Sequence, residues 1–204
     1  MSSVHVEKEL LASRYSNIAL TYYMLGKGKD ALIYYDKAEE VGYSKAALSA
    51  LRGGTFFSMG KKKESREEYE KYSEIIRLAY GESSLQYAMS LQYLASINAF
   101  CKDMEDASRF YIDAAEVTRK KVYESMRYLS RTHRDSFWDQ CASLFSQMAG
   151  FGLKAGFEQD EFTEAAYNAL LLSKGLLLAS DRSMASVVNE SHDEDLIGIY
   201  NNCQ

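Results

Sequence analysis

The chain has 204 residues, 47% of them hydrophobic and 26% charged, with a formal net charge of −5 and a pI near 5.3. That length can bury a sizeable core in one or two domains, and the acidic balance argues against an extended nucleic-acid surface. There are no prolines; because proline breaks helix interiors and marks loops, its absence predicts a chain that is helical nearly throughout.

The opening stretch, "MSSVHVEKELLASRYS", carries acidic residues and no long apolar core, unlike a signal peptide. No stretch reaches the roughly 20 apolar residues of a membrane span. Cys101, Cys141 and Cys203 are widely spaced and contain no CxxC pair, which reads as reduced thiols and a cytoplasmic setting.

The first predicted hairpin covers residues 12–45. Tyr15, Ile18, Ala19 and Tyr22 share one face of a first helix, Gly26 falls in a turn, and Ala31, Tyr35 and Ala38 share one face of a second. Small residues mark a close helix crossing, and the tyrosines fill the space beside it. Adding 34 to Gly26, Ala31 and Tyr35 gives Gly60, Ser65 and Tyr69; adding 34 to Ala19 and Tyr22 gives Gly53 and Phe56. A recurring offset of this length is the signature of a stacked repeat, because one hairpin cannot cover its own apolar face. The pattern resembles the tetratricopeptide repeat, although Tyr43 stands where that repeat usually ends in proline. The resemblance implies an all-α, right-handed superhelical solenoid of antiparallel hairpins, about 8–9 helices in all.

The second hairpin, residues 46–82, departs from the repeat at Arg52, Ser65 and Tyr72, where Leu and two alanines are expected. The third, residues 83–125, supplies Leu91, Leu94, Ala95, Ala107, Tyr111 and Ala114, with Asn98 in place of an aromatic. From Ser65 to Ala107 is 42 residues rather than 34. The second helix of the second hairpin is therefore expected to be about two turns longer, ending near "LAYGESS" and resembling the longer repeat of kinesin light chains. Beyond, residues 126–204 lose the period but keep amphipathic spacing. They read as a divergent hairpin closing the stack, with Gly150, Gly152 and Gly156 fraying its first helix. A last helix follows, N-capped by Ser191 or Asp193.

Candidates for chemistry are few. Gly26-Lys27-Gly28 follows a predicted helix, not the strand a dinucleotide fingerprint needs, and Ala31 stands at the third glycine position. It reads as a helix cap and turn. His133 and Cys141, placed on one helix, would lie about 12 Å apart, too far for a nucleophile–base pair. His5 and His192 have no neighbouring metal-ligand set, so neither a metal nor a cofactor is expected. The basic triplet Lys61-Lys62-Lys63 is followed by Glu64, Glu67 and Glu68 and reads as a solvated face, as does Arg119-Lys120-Lys121. Trp138 sits among apolar residues at helical spacing and is expected in a core.

In the tetratricopeptide register, the first helix of each pair lines the concave side. The residues it would present are Ser13, Ser16, Leu20, Tyr23 and Met24; then Ala47, Ala50, Gly54, Phe57 and Ser58; then Met89, Gln92, Ser96, Ala99 and Phe100. None of the fifteen is charged, so the Lys/Arg/Asn clamp that chaperone-binding relatives close on a terminal carboxylate is not expected. Such a face suits an apolar helix or peptide from a partner, or from the chain's own C-terminal part. The alternative is that three repeats curve too little for a groove and these residues pack on one another.

At the C-terminal end, "RDSFWDQCASLF" followed by "YNALLLSKGLLL" and "SDRS" resembles the region between the repeats and the caspase-like CHAT protease domain of bacterial proteins of that architecture. The resemblance implies a scaffold or regulatory module for a protease supplied downstream. The protease's own His and Cys match no residue here, so the chain itself is expected not to be an enzyme. The alternatives are a free-standing adaptor, an enzyme using Cys141, and a nucleic-acid-linked regulator. Leu196, Ile197, Ile199 and Tyr200 could also pair two copies through the last helix.

Overall fold

A computed structural model describes residues 3–126, 128–129, 131–155, 161–172, 188 and 191–202. Among them run nine helices: α1 (Ser3–Met24), α2 (Gly28–Glu40), α3 (Lys45–Ser58), α4 (Lys62–Tyr80), α5 (Leu85–Cys101), α6 (Met104–Met126), α7 (Arg131–Ala155), α8 (161–172) and α9 (Glu194–Asn202). No strand occurs among the described residues. The chain divides into two compact units, Met1–Val117 and Thr118–Gln204. That division falls inside α6. Along α6, Ala107, Tyr111 and Ala114 are buried in the first half and Thr118 and Val122 in its continuation.

In the first unit the pairs α1–α2, α3–α4 and α5–α6 form three hairpins. The turn inside the first is closed by backbone alone: the Gly26 N–H donates to the Tyr23 carbonyl at 2.9 Å and the Lys27 N–H to the Tyr22 carbonyl at 2.9 Å, with Gly26 at φ +72°. This is the double-bonded cap that needs a left-handed residue, the conformation glycine enters without penalty. The second hairpin repeats it at Gly60, and the third repeats it with Lys102 at φ +66°, a position where a side chain costs free energy. The link from α2 to α3 uses the same device at Gly42, whose following residue, Tyr43, donates its N–H to the Ala38 carbonyl at 2.9 Å. Proline could not make that bond, which accounts for its replacement by Tyr43. Ser44 and Ser84 cap α3 and α5 by accepting from the N–H groups of Ala47 and Tyr87.

The small residues lie where helices meet. Ala19, Ala31, Tyr35 and Ala38 are fully buried in one cluster with Leu48, flanked by Tyr15, Tyr22 and Tyr34. Burying each such large apolar side chain contributes about 1.5–3 kcal/mol. A methyl group at Gly53 would sit 3.0 Å from the Tyr69 ring, and one at Gly28 would sit 2.6 Å from the Met59 sulfur. The two glycines of Gly26-Lys27-Gly28 therefore have separate structural tasks, one turning the chain and one admitting a neighbouring helix.

Each departure from the repeat has a local partner. Arg52 reaches back to α2, 2.6 Å from Asp36 and 2.7 Å from Glu39. Ser65 donates to the Gly53 carbonyl at 2.9 Å. Tyr72 meets the Tyr93 ring edge-on at 6.0 Å. Buried Asn98 donates to the Leu94 carbonyl at 2.8 Å, leaving its own oxygen without a partner. The predicted elongation is present: α4 has 19 residues and α2 has 13.

In the second unit, α7 buries Trp138, Cys141, Leu144, Phe145, Met148 and Phe151, with the Trp138 and Phe145 rings stacked at 5.7 Å. α8 answers with Phe162, Ala166, Ala169 and Leu172, and the Phe151 and Phe162 rings meet edge-on at 5.1 Å. The expected fraying at Gly150 and Gly152 does not occur, since α7 continues to Ala155. Packing around Phe151 outweighs the roughly 1 kcal/mol that a glycine costs a helix interior. Gly156 lies outside the described residues. At α9, Asp193 is the cap, accepting from the Asp195 N–H at 3.0 Å.

Candidate protein-binding face

The uncharged register positions lie on the first helices α1, α3 and α5. Leu20, Tyr23, Met24, Phe57, Met89 and Phe100 are between 36% and 77% exposed. Ser13 is exposed, while Ala50, Gln92 and Ser96 are half-buried. Ser16 is a correction: it is buried, because it continues the stripe of Ala12 and Ala19 along α1, and no partner can reach it. The Phe57 and Phe100 rings touch at 4.6 Å, joining α3 to α5 across two repeats.

The floor of this face comes from second-helix tyrosines. The Tyr111 hydroxyl lies 3.3 Å from that of Ser96. The Tyr69 hydroxyl reaches Gly54, 3.5 Å from where a methyl group would stand. Burial raises the Tyr69 phenol to about 12 and also lifts Tyr111. Tyr35 is fully buried. These phenols stay neutral under ordinary conditions, keeping the floor uncharged.

Two contributors escape the repeat register. Tyr93, one place after Gln92, is exposed and stacks flat on Tyr69 at 5.2 Å with only 4° between the rings. Lys62, on a second helix, donates to the Phe100 carbonyl at 2.9 Å and stands 4.5 Å above its ring, holding Phe100 in place from the end of α5. The run of aromatics could have drawn attention to Tyr93; nothing local in the sequence singles out Lys62 from its neighbours in the triplet.

A family profile described as Tetratricopeptide repeat matches residues 11–38, the segment holding most of α1 and α2. That segment is similar to a tetratricopeptide repeat. The all-helical hairpin architecture of the described residues is consistent with a solenoid of that type, and tetratricopeptide repeats generally mediate protein–protein interaction. No curated protein matches the chain.

Chemistry outside this face is sparse. Among the described residues no cluster of three or more His, Cys, Asp or Glu side chains could hold a metal ion, and no helix is long and apolar enough to cross a membrane. Cys141 is buried, which pushes its thiol up to about 11, while His133 is exposed on the same helix.

Proposed function

We propose that the tetratricopeptide hairpins hold an apolar helix of a protein partner against the face formed by Leu20, Tyr23, Met24, Phe57, Met89 and Phe100. The observation that carries this reading is the exposure of those six side chains, drawn from fifteen register positions none of which is charged. Water-exposed aromatic and methionine side chains gathered in this way favour a desolvating, adaptable contact over a charge-directed one. A displayed library of amphipathic helices, selected against the whole chain, tests it. Apolar helices should be enriched, and Phe57→Ala and Phe100→Ala should each weaken the winners by roughly tenfold. Failure of every helix to enrich, or enrichment indifferent to both changes, refutes the reading.

The finer proposal is that the chain serves as the repeat region of a CHAT-type protease protein, with the bound helix coming from a regulator or from that protein's own later domain. The support is the resemblance of "RDSFWDQCASLF" and "YNALLLSKGLLL". A reading frame that runs on past Gln204 into a His-Gly strand and a later strand-end Cys would bear it out, and a stop codon there would refute it. In this reading the chain itself is non-catalytic. The raised Cys141 thiol supports that, and peptidase activity lost in Cys141→Ala would overturn it.

A further inference from the structure

Each hairpin sets one first-helix position against a second-helix tyrosine 15 residues later: Leu20 and Tyr35, Gly54 and Tyr69, Ser96 and Tyr111. In the third hairpin the Ser96 and Tyr111 hydroxyls stand 3.3 Å apart. In the first, the Tyr35 hydroxyl is sealed from solvent. The second hairpin differs from both. Gly54 brings no hydroxyl, and the Tyr69 oxygen lies 3.5 Å from where a methyl group on that glycine would stand. Tyr69 is 8% exposed, its ring held between Gly53 and the flat face of Tyr93. Its hydroxyl has no hydrogen-bond partner among the described residues, yet it is not sealed. A polar group this deep ordinarily finds a partner. Gly54, a register position, leaves this one open toward the candidate face.

We infer that the Tyr69 hydroxyl is a specificity determinant of this face, hydrogen-bonding a carboxamide, from Asn or Gln, in the middle of the partner's apolar helix. The inference rests on the protein-binding reading above and adds a polar position to it. The chemistry follows from the surroundings. A charged group would be buried without a counter-ion, since none of the fifteen register positions is charged, so the ligand group is neutral. Serine or threonine on a helix satisfies its hydroxyl on its own preceding turn. A carboxamide stands further out and carries both a donor and an acceptor, matching a phenol that also does both. One such pair inside an apolar contact also fixes the register, because sliding the helix would strand both groups.

The displayed helices selected against the whole chain test this. The winners should carry Asn or Gln at one fixed place among their apolar residues. Tyr69→Phe should weaken such a winner roughly tenfold while leaving its Leu-substituted version unchanged, a coupling that general damage to the fold would not produce. Gly54→Ser, which copies the third hairpin, gives Tyr69 a hydroxyl partner of its own and should remove the same preference. It also takes the place of Tyr69→Phe if circular dichroism finds that variant unfolded. Winners that are apolar throughout, sensitive to Phe57→Ala but not to Tyr69→Phe, overturn this inference and leave the protein-binding reading standing. So do winners with a charged group or a hydroxyl at the central place. Enrichment of no helix overturns both.

Discussion

Gly53 and Gly54 are neighbours in the middle of α3, and alanine at each should have opposite effects. Both changes gain the same helix propensity, about 1 kcal/mol. At Gly54 the new methyl meets only the Tyr69 hydroxyl at 3.5 Å, an ordinary contact, so the gain survives. At Gly53 it meets three atoms of the Tyr69 ring at 3.0–3.1 Å. That ring cannot move aside readily, being 8% exposed and stacked on Tyr93 at 5.2 Å. Overpacking of this kind costs about 1–3 kcal/mol. Gly54→Ala should therefore be more stable than the parent and Gly53→Ala no more stable than it, with roughly 1–3 kcal/mol between the two. Urea unfolding followed by far-ultraviolet circular dichroism measures both midpoints, with equal slopes required for the comparison. In a Tyr69→Leu background the gap should close. Equal stabilisation by the two alanines in the parent would mean that α3 does not press on Tyr69, and the account of the crossing would fail.

Lys102→Gly should stabilise the third hairpin by about 1 kcal/mol, because it relieves a left-handed side chain without touching the turn's hydrogen bonds; thermal melts would detect the change. Stability should fall as pH rises from 10 toward 12, since Tyr69 keeps its proton to about 12 when folded and releases it near 10 when unfolded. Below pH 10 that contribution is intact, and Tyr69→Phe should flatten the decline in urea midpoints measured across the range. Of the two described cysteines, half-buried Cys101 should react with a thiol reagent first, and Cys141 only on unfolding, as mass mapping after timed labelling would show. Equal labelling rates in the folded protein would contradict the burial of Cys141.

The repeat was legible because its physics forces residue identity at a few positions. A left-handed turn calls for Gly26 and Gly60, and a close crossing calls for Ala19, Gly53 or Ala95; such demands survive when everything else in a helix drifts. The third turn hid itself by spending Lys102 where glycine was due. Ser16 was misplaced because a serine suits either a wet face or a tight crossing, and only the neighbouring Ala12 and Ala19 decide between them. The run of α7 through Gly150 and Gly152 depended on contacts with α8 that no local pattern records. Lys62 belongs to the same class, since its role is defined by Phe100, 38 residues away.

The turns that join these helices have a kinetic corollary. In the first unit the reversals are set by glycines and one lysine, and there is no prolyl bond anywhere in the sequence to be caught in the wrong isomer. An unfolded chain released from denaturant therefore skips the wait of tens of seconds that isomerisation imposes on many proteins. What remains is the zipping of sequence neighbours, each hairpin offering the next a surface on which to form.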